Sequence, residues 1–211
     1  MRHVRWLLLV PLLVVAGCGT GGDGSAAGGS MAAGEAASGP FAGCSTLSAA
    51  PPSAPPAAAG SLAPGGAPDP RPVRMPALEL PCFADQSIVH IGAIRGPAVV
   101  NLWASWCGPC REELPALQRY ADRASDQLSV VGVVTEDERS RAASLATDLG
   151  VGFPTLYDSR GELRRAVRRT ALPVTLFVDG ASQIRYVYNA VALDDDSLAL
   201  LAEQYLGVVV T

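Results

Sequence analysis

The chain has 211 residues, sixteen basic against twenty acidic, and a formal net charge of −4. Every basic residue is arginine and the balance is acidic, which disfavours a nucleic-acid-binding role. The length allows one or at most two domains, and the composition of the first seventy or so residues leaves roughly 140 residues for one compact core.

Met1 to Trp6 carries Arg2 and Arg5, Leu7 to Ala16 is an apolar run, and Gly17 precedes Cys18, the layout of a secretory signal over residues 1–17. The run is short for a membrane span and Pro11 interrupts it. Val15-Ala16-Gly17-Cys18 resembles the bacterial lipobox, and that resemblance implies lipid attachment at Cys18. An ordinary cleaved signal and an uncleaved anchor are the other readings. A chain beginning at Cys18 keeps 14 basic and 20 acidic residues, a net charge near −6. Residues 18–70 are mainly Gly, Ala, Ser and Pro, too poor in branched apolar side chains to offset the entropy of ordering, and are expected to form a flexible tether. Residues 71–211 are expected to form the folded domain.

Within that domain Ile88 to Ile91 reads as strand, and Pro97 to Trp103 is a nearly continuous apolar run suited to a central buried strand. The run breaks at Ala104 to Gly108. A helix follows, with Pro109 in its first turn, Leu114, Leu117 and Ala121 on one face, and Pro115 expected to kink it. Leu128 to Val134 is a second buried strand, Glu138 to Leu149 a helix ending at Gly150, and Phe153 to Tyr157 a third strand. This alternation predicts a parallel α/β unit. A short helical stretch covers Glu162 to Arg168. Val174 to Val178 and Ile184 to Tyr188 straddle Asp179-Gly180 as an antiparallel hairpin. Asp194 to Asp196 suits the start of a last helix whose Leu198, Leu201, Ala202 and Tyr205 share a face.

Cys107-Gly108-Pro109-Cys110 falls where the central strand gives way to the helix. That junction puts Cys107 against unpaired backbone N–H groups, which stabilise a thiolate, the nucleophilic form of cysteine. Cys110, one turn on, is in reach to displace any disulfide Cys107 forms, so the pair is suited to cycle between dithiol and disulfide.

The stretch Val100-Asn101-Leu102-Trp103-Ala104-Ser105-Trp106-Cys107-Gly108-Pro109-Cys110-Arg111-Glu112-Glu113-Leu114-Pro115 resembles the TlpA and ResA branch of the thioredoxin superfamily, and the resemblance runs from about Pro76 to the C-terminus. It implies a thioredoxin fold: an α/β domain with a central mixed sheet flanked by helices, and an extra helix and strand between the cysteine helix and the cis-proline strand. The separation of 66 positions from Cys107 to Pro173 accommodates that insertion, which the helix from Glu138 and the strand from Phe153 would supply. Leu172-Pro173-Val174-Thr175 matches the family's cis-proline strand, which implies that Pro173 faces the cysteines and that the Leu172 backbone pairs with substrate. Plain thioredoxin has a buried aspartate six residues before its first active cysteine. Here that residue is Asn101, which exchanges no proton, so the role passes to Glu113, matching the acidic residue of the ResA branch. Glu112 is expected to be a solvated first-turn acid. Trp103 is expected in the core and Trp106 in the apolar wall beside the nucleophile.

Setting aside Cys18 and the redox pair leaves Cys44 and Cys82, expected as a structural disulfide in an oxidising compartment. The implied activity is extracytoplasmic thiol–disulfide exchange with protein cysteines, preferentially as a reductant, in some relatives for cytochrome c maturation, with a membrane electron-transfer partner recycling the pair. No cofactor is expected. The competing classes are a thiol oxidase, a metal carrier using the cysteines as soft ligands, and a thioredoxin-fold peroxidase, whose usual Thr-x-x-Cys setting has Ala104 instead. The only histidines are His3 and His90, and there is no second C-x-x-C to complete a structural zinc site.

Overall fold

In the computed structural model the described residues are 39–47, 73–124 and 127–210, all within one compact unit, Ala36–Thr211. The signal segment 1–17, Cys18 and most of the tether 18–70 lie outside the described residues.

The sheet grows from β4 (Ala98–Trp103), whose six residues are all buried. A strand this apolar is stable only between two other strands and under cover on both faces. On one side it pairs in parallel with β5 (Ser129–Thr135), which pairs in parallel with β6 (Thr155–Asp158). On the other side it pairs antiparallel with β7 (Val174–Val178), followed by β8 (Gln183–Tyr188) and a short β1 (Val73–Arg74), also antiparallel. The resulting order is β1-β8-β7-β4-β5-β6. This is the mixed sheet of the thioredoxin fold. The helix α2 (Arg139–Leu149) leads to the edge strand β6, at the place the insertion was expected. Gly150, in the left-handed conformation at φ 67°, closes α2 through its own N–H.

Because side chains alternate across a strand, β4 divides the core in two. Val99 and Trp103 join the cluster under α1 (Gly108–Ala124), α2 and α4 (Asp195–Leu206). Ala98, Val100 and Leu102 join a second cluster with Leu163 of α3 (Glu162–Ala166) and a separate hairpin, β2 (Glu79–Pro81) with β3 (Ile88–His90). Asp194 caps α4 by accepting the Ser197 N–H at 2.8 Å.

Two parts of the sequence reading change. Residues 39–47, placed by composition in the tether, lie on the domain: Phe41, Cys44 and Leu47 are buried, and the Ala42 N–H donates to the Gly152 carbonyl at 2.8 Å. Three apolar anchors at intervals of three disappear in an average over small residues, but each fills a place in the core, Phe41 edge-on to Phe83 at 4.8 Å. Pro115 lies within α1, which is helical from Gly108 to Ala124. The strands β1 and β2, two and three residues long, carry too little periodicity to be seen beforehand.

Candidate active site

The apolar run of β4 ends at Trp103, and the chain turns through Ala104–Trp106 into α1. Asp137, just beyond β5, holds that turn, its carboxylate accepting the Ser105 N–H at 2.5 Å and the Ser105 hydroxyl at 3.0 Å. Cys107 therefore stands at the mouth of α1, where the Cys110 N–H donates to its Sγ at 3.3 Å. Cys107 keeps 5% of its surface exposed and Cys110 none, and the two sulfurs are bonded at 2.03 Å. An incoming sulfur thus meets Cys107 first. The helix N-terminus favours negative charge there, as a departing or attacking thiolate requires.

Glu113, one turn beyond Cys110, is fully buried. Its Oε1 accepts from Asn101 Nδ2 at 2.7 Å and its Oε2 from the Leu193 N–H at 3.1 Å. Burial pushes this carboxyl up to about 7, against the opposing pull of those two donors. It is therefore poised to hold or release a proton near neutral pH, which an ordinary surface glutamate is not. Asn101 Nδ2 also donates to Thr175 Oγ1 at 2.9 Å, while its Oδ1 is buried without a partner. The Tyr188 phenol is raised above its ordinary value, chiefly by burial and then by the charge of Glu113.

The antiparallel pairing of β4 with β7 ends at Leu102↔Val174, so the start of β7 and the mouth of α1 share one end of the sheet. Pro173, buried and joined to Leu172 by a cis bond, opens β7 there. Asn189 at the end of β8 pins this loop, its Nδ2 donating to the Pro173 carbonyl at 2.6 Å and the Ala171 carbonyl at 3.2 Å. Leu172 packs, half-buried, against the cluster that contains Cys107 and Cys110. Trp106 is 61% exposed, with its indole N–H donated to the Glu136 carbonyl at 3.1 Å. It stands on the rim, whereas Trp103 is core. Glu112 is exposed.

Cys107, Cys110, Glu113, Leu172 and Pro173 thus meet at one end of the sheet. Cys44 and Cys82 belong to the other core cluster, bonded to each other at 2.06 Å with Cα atoms 5.9 Å apart. Sequence reasoning had no signal for the Leu193 N–H, Asn189 or Asp137, which reach the site from loops. Asn101 did have one: it alternates with Val99 and Trp103, which points it at α1 and hence at Glu113.

The model of the AhpC/TSA family matches residues 73–187. The thiol-disulfide oxidoreductase ResA of Oceanobacillus iheyensis is 29% identical over 113 residues, 52% of this chain and 59% of that protein. The thiol:disulfide interchange protein DsbE of Yersinia pestis is 35% identical over 103 residues, 48% of this chain and 52% of that protein. The matches thus span between a half and three fifths of these relatives' length. Among solved structures, a secreted Mycobacterium tuberculosis disulfide oxidoreductase homologous to Escherichia coli DsbE superposes with a TM-score of 0.52 at 21% identity, covering 58% of this chain and 91% of that one, a likeness of fold.

Proposed function

Since the chain belongs to the AhpC/TSA family, a thioredoxin-like family, we propose that it is a thiol–disulfide oxidoreductase acting on protein cysteines through Cys107 and Cys110. The observation that carries this reading is the Cys110 N–H aimed at Cys107 Sγ, in a pair backed by a buried carboxyl pushed to about 7. In the reductive direction the Cys107 thiolate attacks a substrate disulfide, forming a mixed disulfide and releasing one substrate thiolate. Cys110, giving its proton to Glu113, then attacks Cys107 Sγ, which releases the second substrate thiolate and closes the Cys107–Cys110 bond. Two electrons pass from the pair to the substrate. Pro173 bounds the pair opposite α1, the Leu172 backbone pairs with the substrate chain, and Trp106 supplies apolar contact at the rim.

Trapping tests this directly. A Cys110→Ser protein is expected to accumulate mixed disulfides on Cys107 that reducing agent releases, and recovery of none from an extract of disulfide-bearing proteins would contradict the scheme.

The finer reading is an extracytoplasmic reductant, anchored by lipid on Cys18 and recycled by a membrane electron-transfer partner. The signal-like N-terminus, the Gly108-Pro109 pair between the cysteines and the resemblance to ResA support it. Haem maturation is the pathway that resemblance suggests. A glutathione titration decides direction: a potential near about −270 mV fits reduction, and one near about −120 mV fits a thiol oxidase. Mass analysis of the mature N-terminus is expected to find diacylglycerol on Cys18, and an unmodified N-terminus would remove the anchor.

A further inference from the structure

Five of the sixteen arginines fall within residues 160–169 of a chain that is acidic overall. Two of them have carboxylate partners. Arg160 pairs with Glu162 at 2.7 Å, and Arg164 pairs with Glu136. Arg164 also donates to the Thr170 carbonyl, so its mostly buried guanidinium joins the Glu136 loop, on which the Trp106 indole rests, to the loop that leads into Pro173. Gly161, at φ 66°, leaves room for this: a Cβ there would stand 2.7 Å from Glu136 Cδ.

Arg165, Arg168 and Arg169 differ. Among the described residues no carboxylate comes within ion-pair distance of them. Arg165 donates to the Arg160 carbonyl and Arg169 to the Arg168 carbonyl, contacts that leave their charge uncompensated. The turn that carries them is built: Arg168 sits at φ 55°, a left-handed conformation uncommon outside glycine, while the Arg168 and Arg169 N–H groups close on the Arg165 and Arg164 carbonyls at 2.9 and 3.0 Å. Three residues after Arg169 comes Leu172.

We propose that this arginine turn is a specificity surface for acidic substrate segments, selecting proteins and peptides whose reactive cysteine is flanked by Asp or Glu; the proposal rests on the oxidoreductase reading above. The turn leads into the loop pinned by Asn189, and Arg164 ties it to the Glu136 loop that carries Trp106, which puts the turn at the cysteine end of the sheet. A single exposed ion pair contributes little, but several charges of one sign beside a site raise the local concentration of an oppositely charged partner and its rate of association.

The test uses two disulfide peptides identical around the cysteines, one with Asp and Glu flanks and one with Ser and Gly flanks. At low ionic strength kcat/KM is expected to favour the acidic peptide about three- to tenfold, the yield of two or three exposed pairs. The ratio should approach one in 1 M salt, where the Debye length is about 3 Å. R165E/R169E should bring the low-salt ratio to one or below. The ratio is taken on a single preparation, so a partly misfolded variant does not distort it. Equal values for the wild-type protein at low salt would overturn the proposal. So would a ratio of one together with arginine-dependent binding to phosphatidylglycerol vesicles, which would assign the turn to an anionic membrane surface. Peptide binding to Cys107→Ser separates this proposal from the chemistry beneath it. Preference for the acidic peptide with no turnover by the wild-type protein would sink the oxidoreductase reading and leave the surface standing.

Discussion

Among the described residues there are two disulfides, and what differs between them is almost entirely their surroundings. Cys107 and Cys110 are three residues apart, at a helix mouth, with an N–H on one sulfur, a residue of exposure and a buried carboxyl behind. Cys44 and Cys82 are 38 residues apart, in the opposite core cluster, 2% and 0% exposed, and the Thr155 carbonyl oxygen lies 3.6 Å from Cys44 Sγ, where it offers no stabilisation to a thiolate. The first environment suits a bond that opens and closes. The second suits one that stays shut, because no thiolate reaches it and none is favoured there. Chain entropy separates them in the same sense: closing a 38-residue loop stabilises the folded state by about 4 kcal/mol, whereas closing a three-residue loop yields less than about 2.

The sharpest break in this comparison is Cys107→Ser. Insulin reduction and dithiol oxidation are expected to fall by about 10⁴-fold, more than about 5 kcal/mol in transition-state terms, with a loss of stability below about 2 kcal/mol. Retained exchange would move the chemistry elsewhere. The converse variant, Cys44→Ser with Cys82→Ser, is expected to lose about 4 kcal/mol of stability, a fall in Tm on the order of 10 °C, while exchange below the new Tm stays within a few-fold. Calorimetry beside an insulin assay reads both. A double variant with an unaltered Tm would show that residues 39–47 stay seated through Phe41 and Leu47 alone.

How much of this contrast was legible in the sequence follows from how far apart the determinants lie along the chain. β4, β7 and the cysteine helix were legible because each is written in consecutive residues: an unbroken apolar run, or C-x-x-C at the end of one. Glu113 was legible as a position because three residues along a helix is a fixed geometry. The strap at 39–47 was legible only at Cys44, through the pairing expected with Cys82, since Phe41 and Leu47 acquire meaning only against Phe83 and the core they meet. The Leu193 N–H on Glu113 and the Asn189 amide on the Pro173 carbonyl were likewise hidden, because backbone polarity is the same at every residue and only tertiary folding chooses which group arrives.

A smaller effect separates the regions by pH. The Glu113 carboxyl, ordinarily at 4.5, is lifted by burial to about 7. Between those values the folded protein holds a proton that the unfolded chain has released. Its contribution to stability is therefore full below about 4.5, is lost as pH rises through about 7, and amounts to about 3 kcal/mol across that window. Glu113→Gln, which never ionises, is expected to abolish this slope in denaturation curves between pH 5 and 7.5 and to slow the resolving step at Cys110. The Cys44→Ser, Cys82→Ser protein should lose stability by the same amount at every pH and keep the slope. If the slope survives in Glu113→Gln, another group is its source.

The smallest effect we expect concerns the wall opposite α1. Asn189 is held at the end of β8, and its amide satisfies two carbonyls, Ala171 and Pro173, that bracket Leu172. Substitution by Ala leaves both without that donor, at a cost of about 1 kcal/mol each at most where water reaches them. Since those carbonyls fix the edge on which a substrate chain is proposed to lie, the loss should appear as a rise in KM of a few-fold with kcat nearly unchanged, and the Cys44–Cys82 bond should resist reductant as before. A fall in kcat with KM constant would mean instead that the loop at Pro173 acts on the cysteine pair itself, and that the two sides of this site are coupled more tightly than their separate hydrogen bonds imply.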